Sequence, residues 1–156
     1  MENQQKTIAV KLSKKIFIEV SSTLAFKGVE EGGILGINND NIIDFFVKDS
    51  PHKGYAYKYV PNYEYLNKVI DKWNKGEIKF CGMLHTHPLG YPKLSYGDVC
   101  YSKEILLNNP QMHQLYFGIT QDDLDKFKII MYLFIKDQDS NEITYGDISD
   151  LIQYLG

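Results

Sequence analysis

The segment His85-Thr86-His87-Pro88-Leu89-Gly90-Tyr91-Pro92-Lys93-Leu94-Ser95-Tyr96-Gly97-Asp98 constrains both the fold and the chemistry of this chain. Glu77 to His87 reads as a strand that Pro88 must end, because proline cannot donate to a strand ladder. Residues i and i+2 of a strand project to one face, so His85 and His87 point the same way. Their Cα atoms then sit roughly 6 to 7 Å apart. Both rings can therefore reach one ion at about 2.0–2.1 Å. Gly90 and Pro92 allow the chain to turn back over the strand end, and Ser95 to Leu107 reads as a helix. Asp98 supplies a third ligand from the first turn of that helix, with Ser95 on the same helix face. Two histidines and one aspartate leave the fourth tetrahedral position of a zinc ion open, as a catalytic site requires. Ser95-x-x-Asp98 is also a helix-start signal in its own right, an acid at N3 behind a serine cap.

At 156 residues the chain reads as a single domain spanning 1–156, with residues 1–5 a flexible polar tail. A net charge of −3 argues against nucleic acid or an anionic membrane as the main partner. No apolar run is long enough to span a bilayer, and Met1 to Gln5 is not followed by the apolar stretch of a signal peptide. Cys81 and Cys100 are the only cysteines, too few for a disulfide framework, which points to a reducing cytoplasm.

The periodicity predicts a strand at Lys6 to Leu12, then a helix capped by Ser13 that runs to about Phe26, with Gly28 as its stop. Gly33 to Ile37 and Ile42 to Val47 flank Asn38-Asn39-Asp40-Asn41 and read as a hairpin. Tyr55, Tyr57 and Tyr59 share one face of a short strand. Pro61 or Asn62 opens a helix with Tyr65, Leu66, Val69, Ile70 and Trp73 at helical spacing, ended near Gly76. Asn108-Asn109-Pro110 closes the helix that carries Asp98. Leu115 to Thr120 and Phe127 to Lys136 read as antiparallel strands, and Ile148 to Leu155 as a short closing helix. The expectation is an α/β domain with a largely antiparallel central sheet and helices packed against it.

His85-Thr86-His87-Pro88 followed by Ser95 and Asp98 resembles the JAMM (MPN-plus) metalloprotease signature, H-x-H-P then S-x-x-D. Upstream, Glu30-Glu31-Gly32-Gly33-Ile34-Leu35-Gly36 is similar to the glutamate-bearing segment of that family, E-x-x-G-[IL]-L. Matching the Gly33-Ile34-Leu35 part selects Glu30 as the catalytic glutamate, with Glu31 the runner-up. The resemblance implies a three-layer α-β-α, cytidine-deaminase-like JAB/MPN fold. It also implies zinc on His85, His87 and Asp98, and hydrolysis of the amide bond after the C-terminal glycine of a ubiquitin-like protein. In that scheme Glu30 accepts a proton from zinc-activated water, and Ser95 hydrogen-bonds the developing oxyanion.

Three other readings compete. Related compact domains process ubiquitin-like sulfur carriers. An inactive MPN-type scaffold would usually lack the ligands or the glutamate, all of which are present here. A nucleoside deaminase would need a paired C-x-x-C, absent here. Cys81 lies on the strand face of His85 but roughly 13 Å away, too far for a shared ion. Cys100 points away from Asp98, and both cysteines read as small buried hydrophobes. His52 and His113 have no spaced partner and read as non-ligands. The three strand tyrosines read as a packed sheet face, and Tyr91 as a border of the substrate channel.

Overall fold

The computed structural model describes residues 10–24, 30–49, 61–123 and 126–156. The expected tail at 1–5, the strand bearing Tyr55, Tyr57 and Tyr59, the stop at Gly28, and His52 lie outside these residues.

A strand β1 (Val10–Ser13) leads directly into helix α1 (Lys14–Thr23). The switch happens at Ser13, whose hydroxyl accepts the Ile16 amide at 3.2 Å and so caps the helix as its position predicts. Ile16 and Val20 recur one helical turn apart on the buried face. Next comes a hairpin of β2 (Gly32–Ile37) and β3 (Ile42–Lys48). The Asn38 side chain accepts from the amides of Asp40 at 2.9 Å and Ile42 at 3.1 Å, and Asn41 takes a left-handed φ of 61°. Helix α2 (Tyr63–Asn74) is capped by Asn62 and buries Leu66 and Trp73. Strand β4 (Lys79–Thr86) runs into helix α3 (Tyr96–Asn108) through the loop of residues 87–95. The remaining elements are β5 (Gln114–Asp123), β6 (Lys126–Lys136), β7 (Ile143–Asp147), a 3-10 turn at Ser149–Leu151, and β8 (Ile152–Leu155).

The strands form one sheet in the order β7-β6-β5-β4-β2-β3-β1-β8. This corrects the expected three-layer, deaminase-like arrangement with a mostly antiparallel sheet. The sheet is mixed and curls into a half-barrel. The pairs β1–β3, β1–β8 and β4–β5 are parallel, while β2–β3, β2–β4, β5–β6 and β6–β7 are antiparallel. The C-terminal segment contributes one of the three parallel pairs. Ile148, Ile152 and Leu155 mimic helical spacing, but only one 3-10 turn forms there. The Asp147 carboxylate accepts the Ser149 amide at 2.8 Å, and the Ser149 hydroxyl accepts the Met131 amide at 3.0 Å. These bonds turn the chain onto β1, where Val10 to Ser13 pair with Ile152 to Leu155.

Alternation along the inner strands divides the core. Leu35, Leu84 and Tyr116 join Ile16 and Val20 in one cluster, while Ile34, Met83 and Phe117 join Leu66, Trp73 and Leu106 in another. Lys136, at the end of β6, is buried. Its ammonium donates to the carbonyls of Leu106 at 2.6 Å and Asn109 at 3.2 Å, anchoring the C-terminus of the helix that bears Asp98. No helix among the described residues is long and apolar enough to cross a membrane.

Close packing of β4 on β5 depends on Gly82. A Cβ there would stand 2.5 Å from the Tyr116 carbonyl oxygen and 2.8 Å from Tyr116 Cβ. Gly82→Ala should therefore force the two strands apart and cost about 1–3 kcal/mol. A lowered urea midpoint checks this.

Candidate metal centre

Strand β4 is hydrogen-bonded on both sides, to β2 and to β5, and its last residues carry the site. Gly32 pairs with His85 across the β2–β4 ladder. Just beyond the ladder Thr86 fastens the segment before β2: its amide donates to the Glu31 carbonyl at 2.8 Å, and its hydroxyl accepts the Glu31 amide at 2.9 Å. This pair of hydrogen bonds between neighbouring segments decides between the two glutamates. Glu31 is directed to Lys48, Nζ to Oε2 3.3 Å. Glu30 faces the histidines, its Oε1 3.7 Å from His85 Nδ1.

The predicted ligands converge. His85 Nε2 and His87 Nε2 are 3.1 Å apart. The Asp98 carboxylate closes the triangle, Oδ1 3.3 Å from His85 Nε2 and Oδ2 3.3 Å from His87 Nε2. Helix α3 holds Asp98 there through a capping box: the Ser95 hydroxyl accepts the Asp98 amide at 3.0 Å, and Asp98 Oδ2 accepts the Ser95 amide at 2.9 Å. The capping and ligand readings of Ser95-x-x-Asp98 are thus compatible. The cap sets the rotamer that aims the carboxylate at the rings. The Ser95 hydroxyl spends a lone pair on this cap and keeps its proton to donate.

The tautomer of His87 makes this cluster informative. Its Nδ1 lies 3.0 Å from the Tyr91 carbonyl oxygen, which can only accept, so Nδ1 carries the proton. In the neutral ring Nε2 is then a bare lone pair. It faces His85 Nε2 and the Asp98 carboxylate in a buried setting. His85 can donate from its Nε2 to that lone pair, and a proton or a metal ion on His87 Nε2 would match the Asp98 carboxylate. The two possibilities compete for the same lone pair. Burial by itself would lower the His87 pKa, but the Asp98 hydrogen bond, the Tyr91 carbonyl and the charges of Asp98 and Glu30 raise it above the ordinary value. Asp98 mirrors this. Burial pushes its carboxyl up, and the bonds from His85, His87 and the Ser95 amide pull it well below the usual carboxylate range.

The donor set fits zinc. At metal–donor distances of about 2.0–2.1 Å, neighbouring tetrahedral ligands stand roughly 3.3–3.4 Å apart. The 3.1 and 3.3 Å separations come within about 0.3 Å of that spacing. Glu30, His85 and His87 also offer one donor atom each within 4.8 Å of one another. Of the two sets that share these histidines, the one closed by Asp98 is the tighter, and it leaves Glu30 beside the ion position. The edge of Phe117, 5.2 Å from His85 between ring centroids, supports the His85 ring from β5. The cluster forms the floor of a cleft of about 1200 Å³ whose walls include Tyr63, Leu94, Tyr96 and Tyr101. Tyr91 lines it as well, where the sequence placed a channel border.

The remaining candidates fall away. Cys81 is buried, donates to the Leu35 carbonyl at 3.6 Å, and has its thiol pushed far up by burial, which leaves it an inert core residue. Cys100 is exposed, a correction to the expected burial: it sits on the solvent side of α3. His113 is exposed just ahead of β5. Thr86, Phe117 and Gln121 support the site without any local signal in the sequence. Their roles arise from pairing between distant strands.

No family model matches the chain. Protein ea47 of Escherichia phage lambda is 25% identical over 157 residues, covering 98% of this chain. The chain spans only 36% of the length of that relative. The solution structure of protein DSY2949 from Desulfitobacterium hafniense superposes with a TM-score of 0.63 at 13% identity, covering 93% of this chain and 92% of that one. This last likeness concerns the fold alone.

If His85, His87 and Asp98 hold zinc, a proton competes with it for His87, and apparent zinc affinity should fall as pH drops below the raised His87 pKa and level off above it. The slope should approach roughly tenfold per pH unit for one displaced proton. Zinc titrations between about pH 5.5 and about pH 8.5 check this. Asp98→Ala should abolish stoichiometric binding at every pH, read as metal content of the purified protein.

Proposed function

We propose that this chain is a zinc-dependent peptidase or isopeptidase that cleaves the amide bond after the C-terminal glycine of a ubiquitin-like protein. One observation carries the reading: two imidazole Nε2 atoms and the Asp98 carboxylate converge within 3.1–3.3 Å, with the Glu30 carboxylate beside them. The reading rests on these side chains and on the order of Glu30, His85, His87, Ser95 and Asp98 along the chain. It does not rest on the fold, which differs from the one the resemblance implied.

His85, His87 and Asp98 would hold the ion. When bound, zinc supplies Lewis acidity that polarises a carbonyl and lowers the pKa of water toward about 7. Glu30, buried except for about a sixth of its side chain, takes up the proton released as water attacks the amide carbon. It then returns that proton to the leaving amine. Ser95 has a hydroxyl proton free of the helix cap and is placed at the cleft wall. It donates to the carbonyl oxygen as negative charge develops there, a contribution of roughly 2.7–4 kcal/mol in other hydrolases. The cleft wall is largely aromatic and aliphatic, suited to an extended tail with small side chains near the scissile bond. No covalent intermediate is needed, consistent with the inert Cys81.

The test separates metal binding from turnover. Glu30→Gln should keep zinc and lose at least about a hundredfold in turnover of a glycine-tailed ubiquitin-like fusion. His87→Ala should lose both zinc and turnover. Full turnover by Glu30→Gln would remove the assigned base. A zinc-loaded wild type inactive on all such fusions would remove the substrate class.

A further inference from the structure

Where β4 ends, the chain leaves the sheet but β5 does not. Thr86 pairs with Thr120, and the His87 amide still donates to the Thr120 carbonyl at 3.2 Å. The β4–β5 pairing ends there, and among the described residues no strand pairs with the next residue of β5, Gln121, on that side. Its side chain is buried, 3% exposed, and takes over the role of the missing ladder. Its amide Nε2 donates to the Pro88 carbonyl at 2.7 Å and approaches the His87 carbonyl at 3.4 Å. Pro88 brings no amide of its own to this junction.

The Pro88 carbonyl is also the acceptor of the turn that follows, bonded by the Tyr91 amide at 3.0 Å. Gly90 completes this turn at φ +93°, a conformation open to glycine. At the end of the turn the Tyr91 carbonyl meets His87 Nδ1 at 3.0 Å. A chain of contacts thus runs from Gln121 through Pro88 and Tyr91 to the ring proton of His87. That proton decides which nitrogen is left to bind a cation.

We infer that Gln121 is a positioning residue of the metal centre, gripping the turn of residues 88–91 so that the Tyr91 carbonyl holds His87 in its Nδ1–H tautomer with Nε2 directed at the ion position. This rests on the metal-binding reading only in its last step, since the tautomer is a property of the metal-free protein. Gln121 itself is not a ligand. It acts through backbone carbonyls, so it leaves no trace in the spacing of the ligand residues.

The test uses two variants and two readouts on the full chain. Nitrogen NMR of labelled histidine, at a pH where the ring is neutral, reports the His87 tautomer without metal. A zinc titration reports affinity. Gln121→Leu removes the donor. Gly90→Ala disturbs the turn from the surface, where an added Cβ meets nothing within 4 Å, so it serves if the first variant fails to fold. The wild type should show the Nδ1–H form. Both variants should show mixed tautomers and a zinc affinity lower by roughly 10–100-fold, with the amide spectrum of the sheet retained. A purely structural role would lower the unfolding midpoint and leave the tautomer alone. An undiminished Nδ1–H tautomer in the folded variants overturns the proposal. A tautomer shift in a protein that binds no zinc even as wild type supports the lock and removes the metal reading instead.

Discussion

Strand β4 is paired antiparallel to β2 and parallel to β5, and the candidate site lies where these ladders end, at His85 on the β2 side and at Thr86 on the β5 side. Two rows of backbone hydrogen bonds hold His85 rigidly inside the sheet. Beyond His87 the chain is released, and Pro88 prevents it from continuing. His87 stands at this boundary. Its amide is still tied to β5, and its ring is oriented by the turn that Pro88 begins. The segment before β2 is fastened at the same level by Thr86, which brings Glu30 beside the rings. Helix α3 can then lay Asp98 across the exit of the strand. Each functional side chain is held by a backbone element that ends or begins at this one level of the sheet.

The electrostatics follow from that placement. Burying a carboxylate and two imidazoles costs free energy unless their charges and lone pairs are matched. Here Asp98 has the Ser95 amide and both rings, and His87 has the Tyr91 carbonyl. The cluster is satisfied when one positive charge lies among the three donors. A proton and a metal ion would answer the same physical demand.

The capping serine, the hairpin asparagines and the proline stop were readable because their chemistry is local: a side chain bonds its own backbone within about four residues. The convergence of the candidate ligands was readable for a related reason. Strand and helix periodicities put His85 with His87, and Ser95 with Asp98, on common faces. The closing segment was misread because Ile148, Ile152 and Leu155 carry a spacing shared by helix and irregular chain, and four-residue strands show too little alternation to separate them. The parallel pairing of β8 on β1 decided that segment, and it lies almost the whole chain length away. It adds one of the three parallel pairs that make the sheet mixed. A reading based on adjacent hairpins favours antiparallel neighbours, whereas the parallel pairs β1–β3, β1–β8 and β4–β5 join segments distant in sequence.

By itself the sequence determined the candidate site residues: their identities, their order and their local faces, because those depend on bonds and periodicities spanning a few residues. Tertiary structure alone decided how they meet. Glu30 rather than Glu31 faces the rings because Thr86, 55 residues away, holds the Glu31 backbone in one orientation. His87 presents Nε2 rather than Nδ1 because a turn carbonyl claims the other nitrogen, and Gln121, 33 residues beyond Pro88, secures that turn. Such contacts depend on strand register, and register is set by the burial of the whole sheet rather than by any one segment of it.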